Sequence, residues 1–263
     1  MANFLDPLLL GLVEGITEFL PVSSTGHLLI AEHWLGHRSD VFNVVIQAGA
    51  ILAVVLIYRQ RLWDLATGLS QPENRDYAAK LTVAFLITAV LGFAATRLGY
   101  KLPESITPVA WALIMGGVWM LVAEWFAARK PDRTEVTWTV AVLVGLAQVV
   151  AAVFPGTSRS AATIFVALLA GTSNRAAATE FAFLVGIPTM FAASGYELLK
   201  AFKAHDVHED WTALAIAFVV SLVTAFVAVR WLLGYIRTHR FTPFAIYRIV
   251  VGGALLVALP AGV

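Results

Sequence analysis

Cysteine is absent from this 263-residue chain, which excludes disulfides, thiolate nucleophiles and cysteine-ligated metals and leaves no trace of redox compartment. Charge is nearly as scarce. Asp, Glu, Lys and Arg make up 13% of residues, against roughly a quarter in soluble domains. The formal net charge is only +1, so bulk electrostatics give no reason to expect a nucleic-acid partner. A basic segment ahead of the first apolar stretch is also missing, and that stretch carries Glu14, Glu18 and Pro21. It therefore reads as mature protein rather than a cleavable signal. No linker or low-complexity tract divides the chain, which predicts one domain over 1–263.

What remains is apolar: 59% of residues are hydrophobic and mean hydropathy is +0.80. Crossing a hydrocarbon core takes about 20 such residues, and six stretches suffice, near 41–62, 79–99, 106–128, 176–201, 211–236 and 241–260. Two more, about 5–36 and 137–171, are each broken by a polar, turn-forming cluster, one at Pro21–His27 and one at Pro155–Ser160. Non-helical backbone at membrane depth must be satisfied by protein or by cavity water, which predicts two re-entrant helix–loop–helix segments. A proline-kinked full helix is the alternative.

The two clusters resemble one another. Placing Gly11-Leu-Val-Glu14 over Gly145-Leu-Ala-Gln148 sets Pro21 on Pro155 and Ser24 on Ser158, with three spans after each copy. An odd number of crossings per copy makes the second inverted, with halves near 1–130 and 131–263. The predicted fold class is therefore all-α integral membrane, with about six transmembrane helices plus two re-entrant segments. Lys and Arg fall ten to five between the two loop faces. The richer one, with Arg59, Arg61, Arg129 and Arg237, is expected in the cytoplasm and both termini outside. Trp34, Trp63, Trp125, Trp211 and Trp231 lie near span ends, as interfacial anchors do.

Ionisable groups within a membrane are costly and mark function. Glu14 and Glu18 stand one helical turn apart, so they either share a proton or hold a cation between them. Ser23, Ser24, Thr25, Gly26 and His27 follow, and the backbone N–H groups opening the next half-helix offer an anion site. Ser24 and His27 share a face if that helix begins at Ser24, a nucleophile–base arrangement. Ser23 or Ser24 could equally be an N-cap. In the second cluster, Gly156, Thr157, Ser158, Ser160 and Thr163 surround Arg159, a guanidinium fork suited to phosphate or, alternatively, to Glu14 or Glu18. Arg248 is a further interior cation, open to a substrate or a structural role. Glu180 reads as a helix N-terminal acid and Arg230 as a snorkelling side chain. His205 and His208 read as loop residues rather than metal ligands. The Gly11-x-x-x-Gly15 pattern and Gly116-Gly117 permit close helix packing within or between subunits, so a homodimer is possible.

Gly11–His27, Pro155–Thr163, Phe241–Arg248 and Val44-Val-Ile-Gln47-Ala-Gly resemble the signature segments of the bacitracin-resistance (BacA) family of undecaprenyl pyrophosphate phosphatases. The resemblance runs end to end. It implies a bacterial inner-membrane enzyme that converts a polyprenyl pyrophosphate to the monophosphate, recycles the cell-wall carrier lipid and confers bacitracin resistance. It also implies functional roles for Glu14, Glu18, Ser24, His27 and Arg159 and support from a divalent cation (Mg2+ or Ca2+); the extracytoplasmic opening is expected from the loop charges. The mechanism expected from these residues has Ser24 attack phosphorus with His27 as base, or has His27 or a glutamate activate water directly with Ser24 as a phosphate ligand. Inverted repeats with broken helices are also a carrier architecture, so a lipid flippase or transporter is the competing expectation.

Overall fold

The structure, a computed structural model, describes residues 4–98, 106–204 and 210–258. Lys101, His205 and His208 lie outside the described residues. Every regular element among the described residues is helical, in the order α1 (Leu5–Thr17), α2 (Ser24–Leu35), α3 (Asp40–Ile57), α4 (Arg59–Thr67), α5 (Pro72–Arg97) and α6 (Ile106–Ala127), then α7 (Trp138–Val153), α8 (Arg159–Ala170), α9 (Arg175–Ala204), α10 (Trp211–Tyr235) and α11 (Thr242–Ala258). Five of these, α3, α5, α6, α9 and α10, are long and apolar enough to cross a membrane. The expected sixth, α11, is an apolar helix of 17 residues. The first span ends earlier than its apolar run suggested. Tyr58 leaves helical geometry, and the polar run from Arg59 starts α4 instead.

Both polar clusters fall in breaks between short helices. Proline explains where the breaks lie, because it has no N–H to donate and clashes with the preceding turn. Beyond each proline one serine takes a positive φ, 76° at Ser23 and 68° at Ser158, a conformation that costs an L-residue about 1–3 kcal/mol and persists only where surroundings impose it. The same serine then caps the next helix. Ser23 Oγ accepts from Gly26 N and Ser158 Oγ from Ala161 N. Ser23 therefore matches Ser158, which corrects the pairing of Ser24 with Ser158: the second cluster carries one extra residue after its proline. Ser24 corresponds to Arg159, each the first residue of its helix.

The break carbonyls are satisfied from within the protein. Arg248 on α11 is fully buried and donates to Gly156 O at 2.9 Å, Thr157 O at 3.0 Å and Ala112 O at 3.1 Å, with longer bonds to Leu113 O and Pro21 O. Ser160 Oγ donates to Leu20 O at 3.0 Å. One guanidinium and one hydroxyl thus tie the two breaks together.

Glycines set the closest approaches. A Cβ on Gly11 would stand 2.4 Å from Ala217 O, which brings α1 onto α10, and one on Gly145 would stand 2.8 Å from Ala84 O, which brings α7 onto α5. On the α6–α11 seam, Gly117 meets Ala245 O and Gly252 meets Ala110 O, both at 2.7 Å for an added Cβ. Gly11, Gly15 and Gly117 are therefore used inside the subunit. The five tryptophans named above are exposed, Trp34 at 80%.

Candidate active site

Glu18 follows α1, in the first break, and is buried, with a different neighbour on each carboxylate oxygen. Ser24 Oγ donates a hydrogen bond to Oε2, and Arg159 Nη2 donates to Oε1 at 2.6 Å. The first residue of α2 and the first residue of α8, contributed by chain segments 135 positions apart, thus meet on one carboxylate. Two helix N-termini open beside it, where exposed N–H groups and the helix dipole favour an anion.

A cavity of about 320 Å3 lies over this junction. Glu18, Ser23, Ser24, Thr25, Gly156, Ser158 and Arg159 line it. Gln47, Thr88, Gln148 and Thr189 line it too. Gln47 lies in one of the signature-like segments and Gln148 in the repeated one, but none of the four reads as a site residue, because a neutral polar side chain on an apolar helix gives no distinctive chemical signal. Thr88 Oγ accepts from Gln148 Nε2 at 3.0 Å and donates to Gly145 O, while Gln148 Oε1 is buried without a partner.

Several residues read as substrate contacts stand elsewhere. Gly26 packs under Val109, Ser160 holds Leu20 O, and the Thr163 hydroxyl returns to Arg159 O within its own helix. Thr157 offers its carbonyl to Arg248, and Arg248 braces the breaks away from the cavity wall. Gly156 has φ 89°, and an added Cβ would stand 2.9 Å from Val109 O, so glycine alone fits there.

Both ring nitrogens of His27 are engaged by groups other than Ser24. Its Nδ1 lies 2.7 Å from Ser23 O and its Nε2 2.7 Å from the Tyr247 hydroxyl, with the two rings stacked at 9°. A carbonyl only accepts, so Nδ1 carries a proton and donates to Ser23 O, while Nε2 shares its bond with the Tyr247 hydroxyl. The basic group in contact with Ser24 is Glu18.

Of the two carboxylates read as a cation pair, Glu18 is engaged on both oxygens. Glu14 is buried beside it, and its Oε2 has no hydrogen-bond partner among the described residues. A second cavity of about 180 Å3 joins Glu14 to Glu32, Asn43 and Gln47, and Ser24 and Thr25 line both cavities. Glu32 is buried, accepts from Asn43 Nδ2 at 3.0 Å and has His37 at 3.4 Å, while Asn43 Oδ1 has no partner. Other buried carboxylates have arginine partners: Glu18 has Arg159 and Glu124 has Arg175. No lysine or arginine pairs with Glu14 or Glu32 among the described residues. No three His, Cys, Asp or Glu side chains converge there either. The donor set is two carboxylates with amide and hydroxyl oxygens, which suits a hard cation and not zinc.

Glu180, expected as a helix-start acid, pairs with Arg61 at 3.2 Å, and Arg230 is exposed beside Phe226.

Fold and site together define a multi-pass membrane protein with an anion-receptive, hydroxyl-bearing cavity inside its helical bundle. The chain belongs to the family of bacitracin resistance protein BacA, whose family model matches residues 7–254. It is 69% identical over 261 residues to an undecaprenyl-diphosphatase of Rhizobium etli, an alignment covering 99% of this chain and 98% of the relative. It is 64% identical over 262 residues to an undecaprenyl-diphosphatase of Xanthomonas euvesicatoria, covering 99% of each.

Proposed function

We propose that this chain is a membrane undecaprenyl-diphosphatase, which hydrolyses undecaprenyl pyrophosphate to undecaprenyl phosphate and inorganic phosphate, recycles the cell-wall carrier lipid and confers bacitracin resistance. The observation that carries this reading to particular residues is the meeting of Ser24 and Arg159 on Glu18. Glu18 takes the Ser24 proton as Oγ attacks the terminal phosphorus, and the P–O bond to the prenyl monophosphate breaks. Arg159 and the N–H groups of α2 and α8 carry the charge on the phosphoryl oxygens. Glu18 passes the Ser24 proton to the departing monophosphate. It then takes one from water as the water attacks phosphoserine, and returns it to Ser24 Oγ as the P–Oγ bond breaks and phosphate leaves. In this reading Glu18 replaces His27 as the base, and His27 with Tyr247 holds the strained Ser23 carbonyl and so aims Ser24.

A divalent cation, magnesium or calcium, would be held by Glu14, Glu32 and the amide oxygens of Asn43 and Gln47. There it would add positive charge beside the phosphate. Calorimetry on purified protein is expected to show calcium binding that Glu32→Gln weakens by about tenfold or more. Equal binding by the variant would remove Glu32 from the site.

The short, break-separated pairs α1–α2 and α7–α8 support re-entrant hairpins that meet within the bilayer. The inverted repeat, with halves near 1–130 and 131–263 in one domain, is supported by contacts that interchange with the halves. Gly11 on Ala217 answers Gly145 on Ala84, and Gly117 on Ala245 answers Gly252 on Ala110. With Arg59, Arg61 and Arg237 in the cytoplasm, the Ser24 hairpin opens extracytoplasmically and both termini lie outside. Membrane lipids surround the molecule; a homodimer would have to form through faces other than the Gly11–Gly15 stripe.

A second reading, a lipid carrier, draws on a polar cavity of about 770 Å3 lined by Arg61, Lys80, Glu180 and Arg237 toward the opposite face. Detergent-purified protein separates the two. Phosphate release from undecaprenyl pyrophosphate, absent with Arg159→Ala, supports the phosphatase, and no release by the wild type overturns it.

A further inference from the structure

Another cavity of about 320 Å3 lies between α5 and α9 and adjoins the Ser24–Arg159 cavity through a shared wall of Thr88, Ala152, Thr189 and Ala193. Outward from that wall the lining turns apolar. Phe85, Ala89, Gly92 and Phe93 form one face of α5, opposed by Ala192 and Tyr196 of α9. Small side chains make this space. A Cβ on Gly92 would meet no atom within 4 Å. Phe93 and Tyr196 are about half exposed at its outer end, and α5 is the least buried of the candidate spans. The groove's one acid, Glu197, is paired with Lys200 at 3.2 Å. From residue 85 to 93 the α5 face runs about 12 Å, two helical turns.

The groove is therefore an apolar slot, open to the lipid side and continuous at its inner end with a site for phosphate. We infer that it holds the first isoprene units of the substrate, leading the tail out between α5 and α9 while the pyrophosphate lies between Ser24 and Arg159. This assignment rests on the phosphatase reading and makes α5 and α9 the elements that distinguish prenyl chains. An ordinary membrane lipid in the slot is the alternative, and the test separates the two.

Filling the slot should remove the advantage of a long tail and leave the phosphate chemistry intact. Phosphate release is measured for wild type, Gly92→Trp and Ala192→Trp on isopentenyl, farnesyl and undecaprenyl pyrophosphate. The wild type should prefer the two longer substrates. Each variant should lose about tenfold or more in kcat/KM on these, because the buried methylenes of the tail no longer leave water or lipid for the slot, and stay within about twofold on isopentenyl pyrophosphate. An equal loss on all three substrates, or no loss on any, overturns the assignment. A wild type inactive on all three instead refutes the phosphatase reading itself. A measurement independent of the variants uses wild-type protein and farnesyl pyrophosphate bearing a diazirine on its terminal isoprene. Labelling within 85–93 and 189–197 that undecaprenyl pyrophosphate competes away supports the slot. Labelling elsewhere, or labelling there that the competitor leaves unchanged, overturns it.

Discussion

Glu18 joins residues of opposite character, a hydroxyl that can give up a proton and a guanidinium that cannot. Replacing it with glutamine keeps the shape and removes both basicity and charge. Glu18→Gln is expected to lower kcat by about 10²–10⁴ while the protein stays folded, read from phosphate release and a melting curve on the same sample. Arg248 makes the contrary prediction. Arg248→Leu strands the carbonyls of Gly156, Thr157 and Ala112, and each buried unsatisfied group costs about 1–3 kcal/mol. Thermal unfolding should show a large loss of stability, with activity falling only as the folded fraction falls. At this scale the sequence was partly readable. Glu14, Glu18, Ser24 and Arg159 stood out because ionisable and hydroxyl groups are conspicuous in an apolar run. Thr88 did not, and Gln47, Gln148 and Tyr247 stood only as members of quoted segments, since nothing in a neutral polar side chain itself says what it will face. The partner of His27 was invisible for another reason: Tyr247 lies 220 positions away.

Among the elements, the two breaks are the least ordinary backbone in the molecule, and their strain sits on the two capping serines. Ser158→Gly keeps the positive φ without penalty and gives up only a cap, at a few tenths of a kcal/mol. Ser158→Ala loses the cap and keeps the strain, at about 1 kcal/mol. Thermal unfolding should therefore rank wild type and glycine together above alanine; alanine equal to glycine would mean that the positive φ at this position carries no strain. The breaks themselves were legible from Pro21 and Pro155, but their register was not. The shared Pro-to-Ser spacing pointed to Ser24 opposite Ser158, and only the positive φ of Ser23 reveals the extra residue in the second copy.

For the whole molecule, the absence of cysteine is an experimental advantage, because single cysteines report topology on a silent background. Cysteines at Asp132 and Thr238 should react with an impermeant thiol reagent only from the cytoplasm, and one at Gly36 only from outside. Labelling of all three from one face would contradict the inverted repeat. The helical membrane class was fixed by composition alone, whereas the pairing of α1 with α10 and of α7 with α5 depends on glycine contacts between distant segments. The central claim is that two hairpins far apart in sequence make one phosphoryl-transfer site. A double-mutant cycle on purified protein tests it directly, with kcat for undecaprenyl pyrophosphate measured for Ser24→Ala, Arg159→Ala and both together. If the two act on the same phosphoryl group through Glu18, the double variant is no worse than the poorer single variant. Losses that simply multiply would mean that Ser24 and Arg159 work independently, and would contradict the account.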